Sequence, residues 1–275
     1  MCSDGGGFRA TVTATFTCST IELTYLASVL GTEALVGVPD PFIGYLTEET
    51  EAAWAAARTA LGERGVIALS PAGLPAVRAD VARLVRICGQ PDGSLMLTCT
   101  HGEGEAMACY LHTAEGLTVE QHASTEAASL RALTDSSQVW HRVRELLRLT
   151  DRPSPGSCPA ATLPPAELAS LRAMAFEQGA LAAAAHLSQM GLPADTARLL
   201  SETLCRPVSN GSAISLIHRH GEWLAEGVGI LEGENGLWLL RHSSPDMLLA
   251  TPATGADAAE AVSRLVTDAL SVPVA

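Results

Sequence analysis

The stretch SNGSAISLIHRHGEWLAEG, residues 209–227, decides the fold that this sequence predicts. It is typical of two strands joined by a tight turn at His220-Gly221, where glycine supplies the positive φ that hairpin turns need. The segment PDGSLMLTCTHGEGEA at 91–106 has the same pattern. A catalytic histidine needs a nucleophile or substrate pocket beside it. Because nothing near either triplet supplies one, we interpret His-Gly-Glu as one hairpin turn used twice.

A longer internal match surrounds the two hairpins. LPAVRADVARLVRICGQPDGS at 74–94 aligns with LPADTARLLSETLCRPVSNGS at 192–212. Along the chain the offset between matching residues grows only from 118 to 122, and the gaps fall where turns are expected. Such slowly changing offsets indicate an internal duplication.

Each half is predicted to hold two helices, several short antiparallel strands and a closing helix. The predicted helices are 48–64, 76–87, 166–190 and 194–205, with closing helices that start at Asp135 and Asp257 as capping-box-like pairs with Gln138 and Glu260. The predicted strands are 94–100, 105–112 and 117–122, matched by 212–219, 222–231 and 236–242. The fold class is therefore α+β, an internally duplicated antiparallel sheet joined across a pseudo-two-fold axis, with a helical cluster from each half.

Domain boundaries follow from composition. Residues 1–19 are predicted as a polar tail, 20–149 as the first α+β repeat and 166–275 as the second. Between the repeats, 150–165 contains prolines that fit neither a helix interior nor a central strand, and this segment is predicted to be a linker.

Composition excludes several function classes. The net charge is −13 and all 17 basic residues are arginine, which argues against nucleic acid and anionic membranes. Without lysine, a Walker-type phosphate loop and a Schiff base are impossible. No signal peptide and no membrane-spanning run is recognised, and the seven cysteines fit reduced thiols, so a cytoplasmic protein without cofactors is expected.

Metal binding is the rival interpretation from another class. Cys99 and His101 alternate on one strand, and so do His218 and His220, so each pair projects to one face. With His122 or His242, either pair could form a zinc or copper site in an enzyme or sensor. Partly buried strand residues near a turn are the simpler interpretation.

Aromatic and apolar residues concentrate in the second half. Glu222, Trp223 and Leu224 follow the second hairpin turn, and an exposed Trp223 would be a natural binding anchor. Phe176 and Met190 lie on the long helix 166–190, where they would pack in the core or line a groove for a partner helix.

The chain resembles the EspG family, the chaperones associated with type VII (ESX) secretion. The resemblance lies mainly in IELTYLASVLG at 21–31, interpreted as a strand-like start, and GVPDPFIGYLTEETEAAWAAARTALGERGVI at 37–67. The duplicated helix–sheet–helix plan also fits the quasi-symmetric fold of that family.

What the resemblance implies is a non-enzymatic cytosolic chaperone that holds a PE/PPE-like helical secretion substrate by its apolar tip. Family members bind partners through an extended loop between central strands and part of the C-terminal helical bundle. In this chain the corresponding turns, THGEGE at 100–105 and RHGEWL at 219–224, are short. A homodimeric structural protein, associating through its remaining sheet edges, is the third alternative.

Overall fold

A computed structural model describes residues 15–32, 35–70, 74–102, 104–219 and 222–270. Two compact units are present, one of Met1–Pro91 with Ala114–Ser136 (unit 1) and the other of Asp92–Thr113 with Ser137–Ala275 (unit 2).

Helices and strands are numbered along the chain. The helices are α1 (Thr20–Val29), α2 (Thr47–Glu63), α3 (Ala79–Gly89), α4 (Ser136–Leu147), α5 (Pro165–Gln178), α6 (Ala180–Gln189), α7 (Ala194–Cys205) and α8 (Gly255–Leu270). The strands are β1 (Thr15–Ser19), β2 (Ile67–Leu69), β3 (Pro75–Val77), β4 (Gly93–His101), β5 (Met107–Ala114), β6 (Leu117–Ala123), β7 (Ala127–Leu133), β8 (Ala161–Leu163), β9 (Pro207–Arg219), β10 (Glu222–Gly233), β11 (Gly236–Ser244) and β12 (Met247–Ala253).

In unit 1, α1 replaces the strand-like start that was expected at 21–31. A capping box begins the helix: Ser19 Oγ accepts from the backbone N–H of Glu22 (3.1 Å), and Glu22 Oε2 accepts from the Ser19 N–H (2.8 Å). Leu23 and Leu26 are fully buried on one helical face. The prediction was wrong because short apolar segments rich in Ile, Leu and Val fit either a helix or a strand by pattern, and here the cap at Ser19 selects the helix.

The rest of unit 1 builds a core on a small antiparallel sheet. β7 pairs with β1 on one side and with β6 on the other. Leu61 of α2 and Val85 of α3 are fully buried in the same core, as is Leu130 of β7. The predicted helix 48–64 agrees with α2 closely, whereas the start of predicted helix 76–87 forms β3 instead.

Unit 2 carries an antiparallel sheet in the order β5-β4-β9-β10-β11-β12-β8. Its centre is the pair β4–β9, in register from Gly93 opposite Ile217 to His101 opposite Ser209. These are the first strands of the two predicted repeats, and they pair antiparallel. The α+β antiparallel fold class is confirmed.

Three helices of unit 2 cover one part of that sheet. Leu171, Leu187 and Leu200, one from each of α5, α6 and α7, are fully buried with Trp238 of β11. The single helix predicted at 166–190 is two helices, because Gly179 has a φ of 88° and ends α5.

Helix α8 closes the chain over β4 and β9. Its cap is one turn earlier than predicted: the Thr254 N–H donates to Asp257 Oδ2 (2.7 Å), and the Asp257 N–H donates to Thr254 Oγ1 (3.2 Å). Those hydrogen bonds from Thr254 hold the pKa of Asp257 below its usual value. Glu260, the predicted partner of Asp257, instead pairs with Arg264.

The predicted linker 150–165 has fixed contacts within unit 2. Arg152 Nε lies 2.6 Å from Glu232 Oε1, and Ser209 Oγ donates to Glu232 Oε2 (2.8 Å). Residues Ala161–Leu163 form β8, which pairs with β12 at the sheet edge, where a proline-rich segment is tolerated. Residues 152 and 161–163 are therefore held against unit 2.

The two compact units group the elements differently from the predicted repeats, since β4, β5 and most of α4 belong to unit 2, and the predicted domain boundaries stay a prediction. Thr15–Ser19, placed in the predicted tail, form β1. Elements α3–β4–β5–β6–β7–α4 and α7–β9–β10–β11–β12–α8 follow the same order, and the duplication itself stays a prediction. In the part of the chain that is described, no helix has the length and apolar character needed to cross a bilayer.

Candidate partner-binding site

A groove of about 1040 Å³ lies in unit 2 along helix α5. Strands β9, β10 and β11 form its floor, with Ile230, Leu231 and Leu240 as apolar floor residues. Its far wall combines the end of α7 with the start of β9 and the end of β4. We call this the Phe176 groove, after its most exposed apolar residue.

Helix α5 presents apolar residues on two faces. Leu171 and Ala175 are fully buried against the core, whereas Leu168, Ala173 and Phe176 line the groove. The Phe176 side chain is 85% exposed, far more than an aromatic residue usually is in a stable core. An apolar surface wider than one helical face is typical of a helix that also contacts a partner.

Hydrogen bonds fix the walls of the groove. The Cys205 thiol donates to the Ala175 carbonyl (3.2 Å), which ties α7 to α5. On the other side, the Gly102 N–H donates to the Val208 carbonyl (2.9 Å), and Gly102 has a φ of 59°. The groove is thus formed before any partner arrives, which lowers the entropy cost of binding.

Charged residues lie at the rim of the groove. Arg172 and Arg206 offer cations there, while Glu177 and Glu234 offer anions. An apolar floor with a mixed polar rim is the composition of a protein-docking surface. It can hold an apolar helix end and orient it through rim contacts.

A second exposed apolar surface lies at the far end of β9. The β9–β10 hairpin brings His218 and Trp223 together, with ring centroids 5.1 Å apart. Trp223 is 51% exposed and Leu224 is 50% exposed, and both neighbours, Glu222 and Ala225, are also exposed. We call residues 218–219 and 222–228 the hairpin arm.

The predicted partner-binding residues therefore occupy three places rather than one. Phe176 lines the groove beside Val208, whereas Trp223 lies opposite His218. Ten residues of strand separate Val208 from His218, which is about 33 Å. Met190 is the C-cap residue of α6, 41% exposed, about 15 Å along that helix from its start at Ala180.

The predicted metal ligands are also separated. Cys99 pairs with Gly211 and His101 with Ser209, while His218 lies at the opposite end of β9. Burial raises the pKa of the Cys99 thiol, which disfavours the thiolate that a metal needs. His220 lies outside the described residues.

Both ring nitrogens of His101 are buried without a hydrogen-bond partner among the described residues. Even so, within the described part of unit 2, no third His, Cys, Asp or Glu joins Cys99 and His101 in a group of three. Of the two predicted third ligands, His122 lies 2.6 Å from Glu120 Oε1 within unit 1, and His242 is an exposed residue of β11. A zinc site takes three or four protein ligands, so two residues fall short of one.

One serine–histidine pair has the spacing of a nucleophile and its base. Ser94 Oγ lies 2.7 Å from His112 Nδ1, but both residues are fully buried in β4 and β5. Burial lowers the pKa of His112 to about 4, so the ring is neutral at physiological pH. Because a substrate cannot reach either side chain, the pair is part of the core.

Sequence reasoning found Phe176 but not the rest of the groove. Val208 and Gly102 meet only through the pairing of β9 with β4, which is distant in sequence. Leu168 carried a usable signal, because it and Phe176 are eight residues apart and recur on one helical face beside the buried face.

The chain is similar to known proteins both in its sequence pattern and in its fold. The model of the EspG family matches residues 19–264. A search of curated proteins found no match. A solved structure of the Mycobacterium tuberculosis type VII secretion system chaperone EspG5, in complex with a PE25–PPE41 dimer, is similar in fold. Its TM-score is 0.64 at 16% identity, over 94% of this chain and 97% of that chain. Since the family model covers most of its length, the chain belongs to the EspG family.

Proposed function

We propose that this chain is a chaperone of a type VII-like secretion system. It binds the apolar tip of a helical, PE/PPE-like substrate and shields that tip until export. The solved relative is described as a secretion chaperone bound to a PE–PPE dimer, and membership of the same family supports a partner of the same class.

The observation that carries the proposal is the Phe176 groove. Its volume of about 1040 Å³ is large enough for several apolar side chains, and the 85% exposed Phe176 stands at its wall. An exposed aromatic side chain beside a preformed apolar groove is the arrangement that receives a helical segment.

The function is shielding rather than catalysis. The Ser94–His112 pair is enclosed in the core, and the groove rim carries arginine and glutamate side chains whose arrangement suits docking. A net charge of −13 favours solubility of a chaperone that exposes apolar surface. We place the protein in the cytoplasm, where the substrate is made.

The test begins with purification of the tagged chain from its native host and identification of a co-purifying PE–PPE-like pair. That pair is then reconstituted with the chain, and the Kd is measured by calorimetry. Phe176→Glu places a charge in the groove wall and should raise the Kd at least about 30-fold, a loss of about 2 kcal/mol.

Leu181→Glu is the matched control, because Leu181 is also 85% exposed but lies on α6 away from the groove. Its Kd should equal that of the wild type. Equal losses in both variants would show a general apolar effect, and no loss in Phe176→Glu would exclude the groove as the docking site. Recovery of no helical secretion partner would count against the chaperone function itself.

A further inference from the structure

Unit 1 has an exposed apolar surface of its own, at the turn that leads into α2. The exposed fraction of the side chain is 80% for Ile43, 46% for Tyr45 and 67% for Leu46. Single exposed apolar residues are common on protein surfaces, but three of four successive positions form a patch, and such a patch marks a contact site. We call Ile43, Tyr45 and Leu46 the turn patch.

Hydrogen bonds and ring contacts hold the turn patch in place. The Tyr45 N–H donates to the Phe42 carbonyl (3.0 Å), and Gly44 has a φ of 87°, as the third residue of a type II turn needs. Asp40 Oδ1 accepts from the Phe42 N–H (2.9 Å). The Phe42 ring lies 5.8 Å from the ring of Tyr45 and 6.0 Å from that of Trp54, between centroids. The patch is therefore formed before a partner arrives, which lowers the entropy cost of binding.

A cavity of about 260 Å³ borders the same segment. Its volume is below the range of small-molecule sites but leaves room for one long side chain. Asp40 is the one charged residue in its lining, and Asp40 Oδ2 accepts no hydrogen bond from the described residues. Apolar walls with one carboxylate match a lysine or arginine side chain, which has an apolar stem and a cationic head. The lining consists of Thr24 and Ala27 of α1 with Leu35, Val38, Asp40 and the two prolines that flank Asp40.

Charge around the turn patch favours a basic partner. Residues 35–57 contain four carboxylates and no arginine, lysine or histidine. The next cation, Arg58, lies about 10 Å along α2 from the last of these carboxylates. None of the four forms an ion pair with another residue that the structure describes. Nucleic acid and anionic lipid are repelled here, whereas a cationic protein segment is attracted. The four carboxylates belong to Asp40, Glu48, Glu49 and Glu51.

We propose that the turn patch and the adjoining cavity form a second protein-docking surface, for a basic segment that presents an arginine or lysine beside an apolar residue. The cation enters the cavity and binds Asp40 Oδ2, while the apolar neighbour packs on Ile43 and Leu46. The other carboxylates attract the segment as it approaches. Unit 1 alone forms this surface and unit 2 alone forms the Phe176 groove, so variants can disable the two separately.

Selection from a phage-displayed library of short random peptides tests the chemistry of the occupant. The full chain is the target, and prior subtraction on the Asp40→Asn/Ile43→Ser double variant removes peptides that bind other surfaces. Enriched peptides should carry an arginine or lysine next to an apolar residue. Absence of enrichment, or enrichment of acidic or purely apolar peptides, would overturn the proposal.

Calorimetry with the most enriched peptide tests the contacts. Asp40→Asn keeps an acceptor for the Phe42 N–H but removes the charge, and it should raise the Kd about fivefold. Asp268→Asn is the matched control, because it makes the same charge change at an exposed position of α8, and its Kd should equal that of the wild type. Ile43→Ser should also weaken binding, whereas Phe176→Glu should not. A Kd that ignores Asp40→Asn, or that rises equally in both asparagine variants, would overturn the proposal.

Discussion

The two central hairpins of unit 2 share their strand order but differ at both ends. β4 is paired with β9 along its whole length, so no part of β4 extends past β9. The β9–β10 hairpin runs past β4 and leaves β11, and it exposes Trp223 and Leu224. Five residues connect the first pair of strands and two connect the second.

The buried pairs of the two hairpins differ as well. In the first, buried Ser94 faces buried His112 near the start of β4; midway along the second, Ala213 faces Val228, also buried. Two hairpins with the same strand order can therefore differ both in how far they extend and in which side chains they bury. In our account the first hairpin borders a groove for a partner, and the second leaves Trp223 and Leu224 exposed.

The largest expected effect compares two glycines under the closing helices. A β-carbon on Gly93 would overlap the main-chain carbonyl oxygen of Ala269 in α8, whereas one on Gly211 would lie 3.1 Å from the Thr98 carbonyl oxygen and 3.2 Å from the flexible Leu147 side chain. Gly93→Ala should therefore destabilise unit 2 by about 3 kcal/mol and Gly211→Ala by about 1 kcal/mol. Urea unfolding measures both. Equal losses in the free energy of unfolding would show that the surroundings of the two glycines are equally tight, which would contradict this prediction.

The next effect is a loss of folding stability at low pH, caused by His112 in the β4–β5 hairpin. Buried His112 has a pKa of about 4, below its ordinary value of 6.5, so the unfolded chain binds a proton that the folded chain does not. Stability is complete above pH 6.5 and falls as the pH drops toward 4, by about 2 to 3 kcal/mol. The double variant Ser94→Ala/His112→Val copies the second hairpin and should lose that component. Urea titrations at pH 7 and 4.5 compare them, and identical pH dependence would contradict the assignment.

A smaller effect is expected at the first hairpin turn. Gly102 has a φ of 59°, which costs other residues about 1 kcal/mol, so Gly102→Ala should destabilise by that amount. Gly62 in α2 has open space around its Cα, and Gly62→Ala should stabilise by about as much. Thermal unfolding gives both signs, and a neutral Gly102→Ala would mean that the turn adapts.

The smallest effect is expected on the hairpin arm. Trp223 is half exposed and contacts His218, so Trp223→Ser should change monomer stability by less than about 1 kcal/mol. A double-mutant cycle of His218→Ala and Trp223→Ala should give a coupling of about 0.5 kcal/mol. A much larger loss would place Trp223 in the core instead of on the exposed surface.

Much of the fold could be predicted from local sequence. Helix α7 occupies the predicted 194–205, and Glu48 and Glu49 of the first turn identified α2. The predictions failed where one residue decides between local alternatives. Gly179 splits a continuous apolar run into two helices, and a serine cap turns 20–29 into α1.

The candidate site was less predictable for a physical reason. Phe176 is visible as an apolar residue on a helix, but its exposure depends on where the sheet lies. The groove wall needs the register of β9 on β4, which sets Gly102 beside Val208. That pairing joins strands more than a hundred residues apart, and local patterns do not specify it.

The central claim is that a helical partner docks in the Phe176 groove, at the opposite end of β9 from the hairpin arm. Amide hydrogen exchange of the full chain, with and without its reconstituted PE–PPE-like partner, tests it most directly. The account predicts slower exchange in the partner complex at 165–178 and 204–212, with 218–228 unchanged. Protection at 218–228 with unchanged exchange along α5 would contradict it.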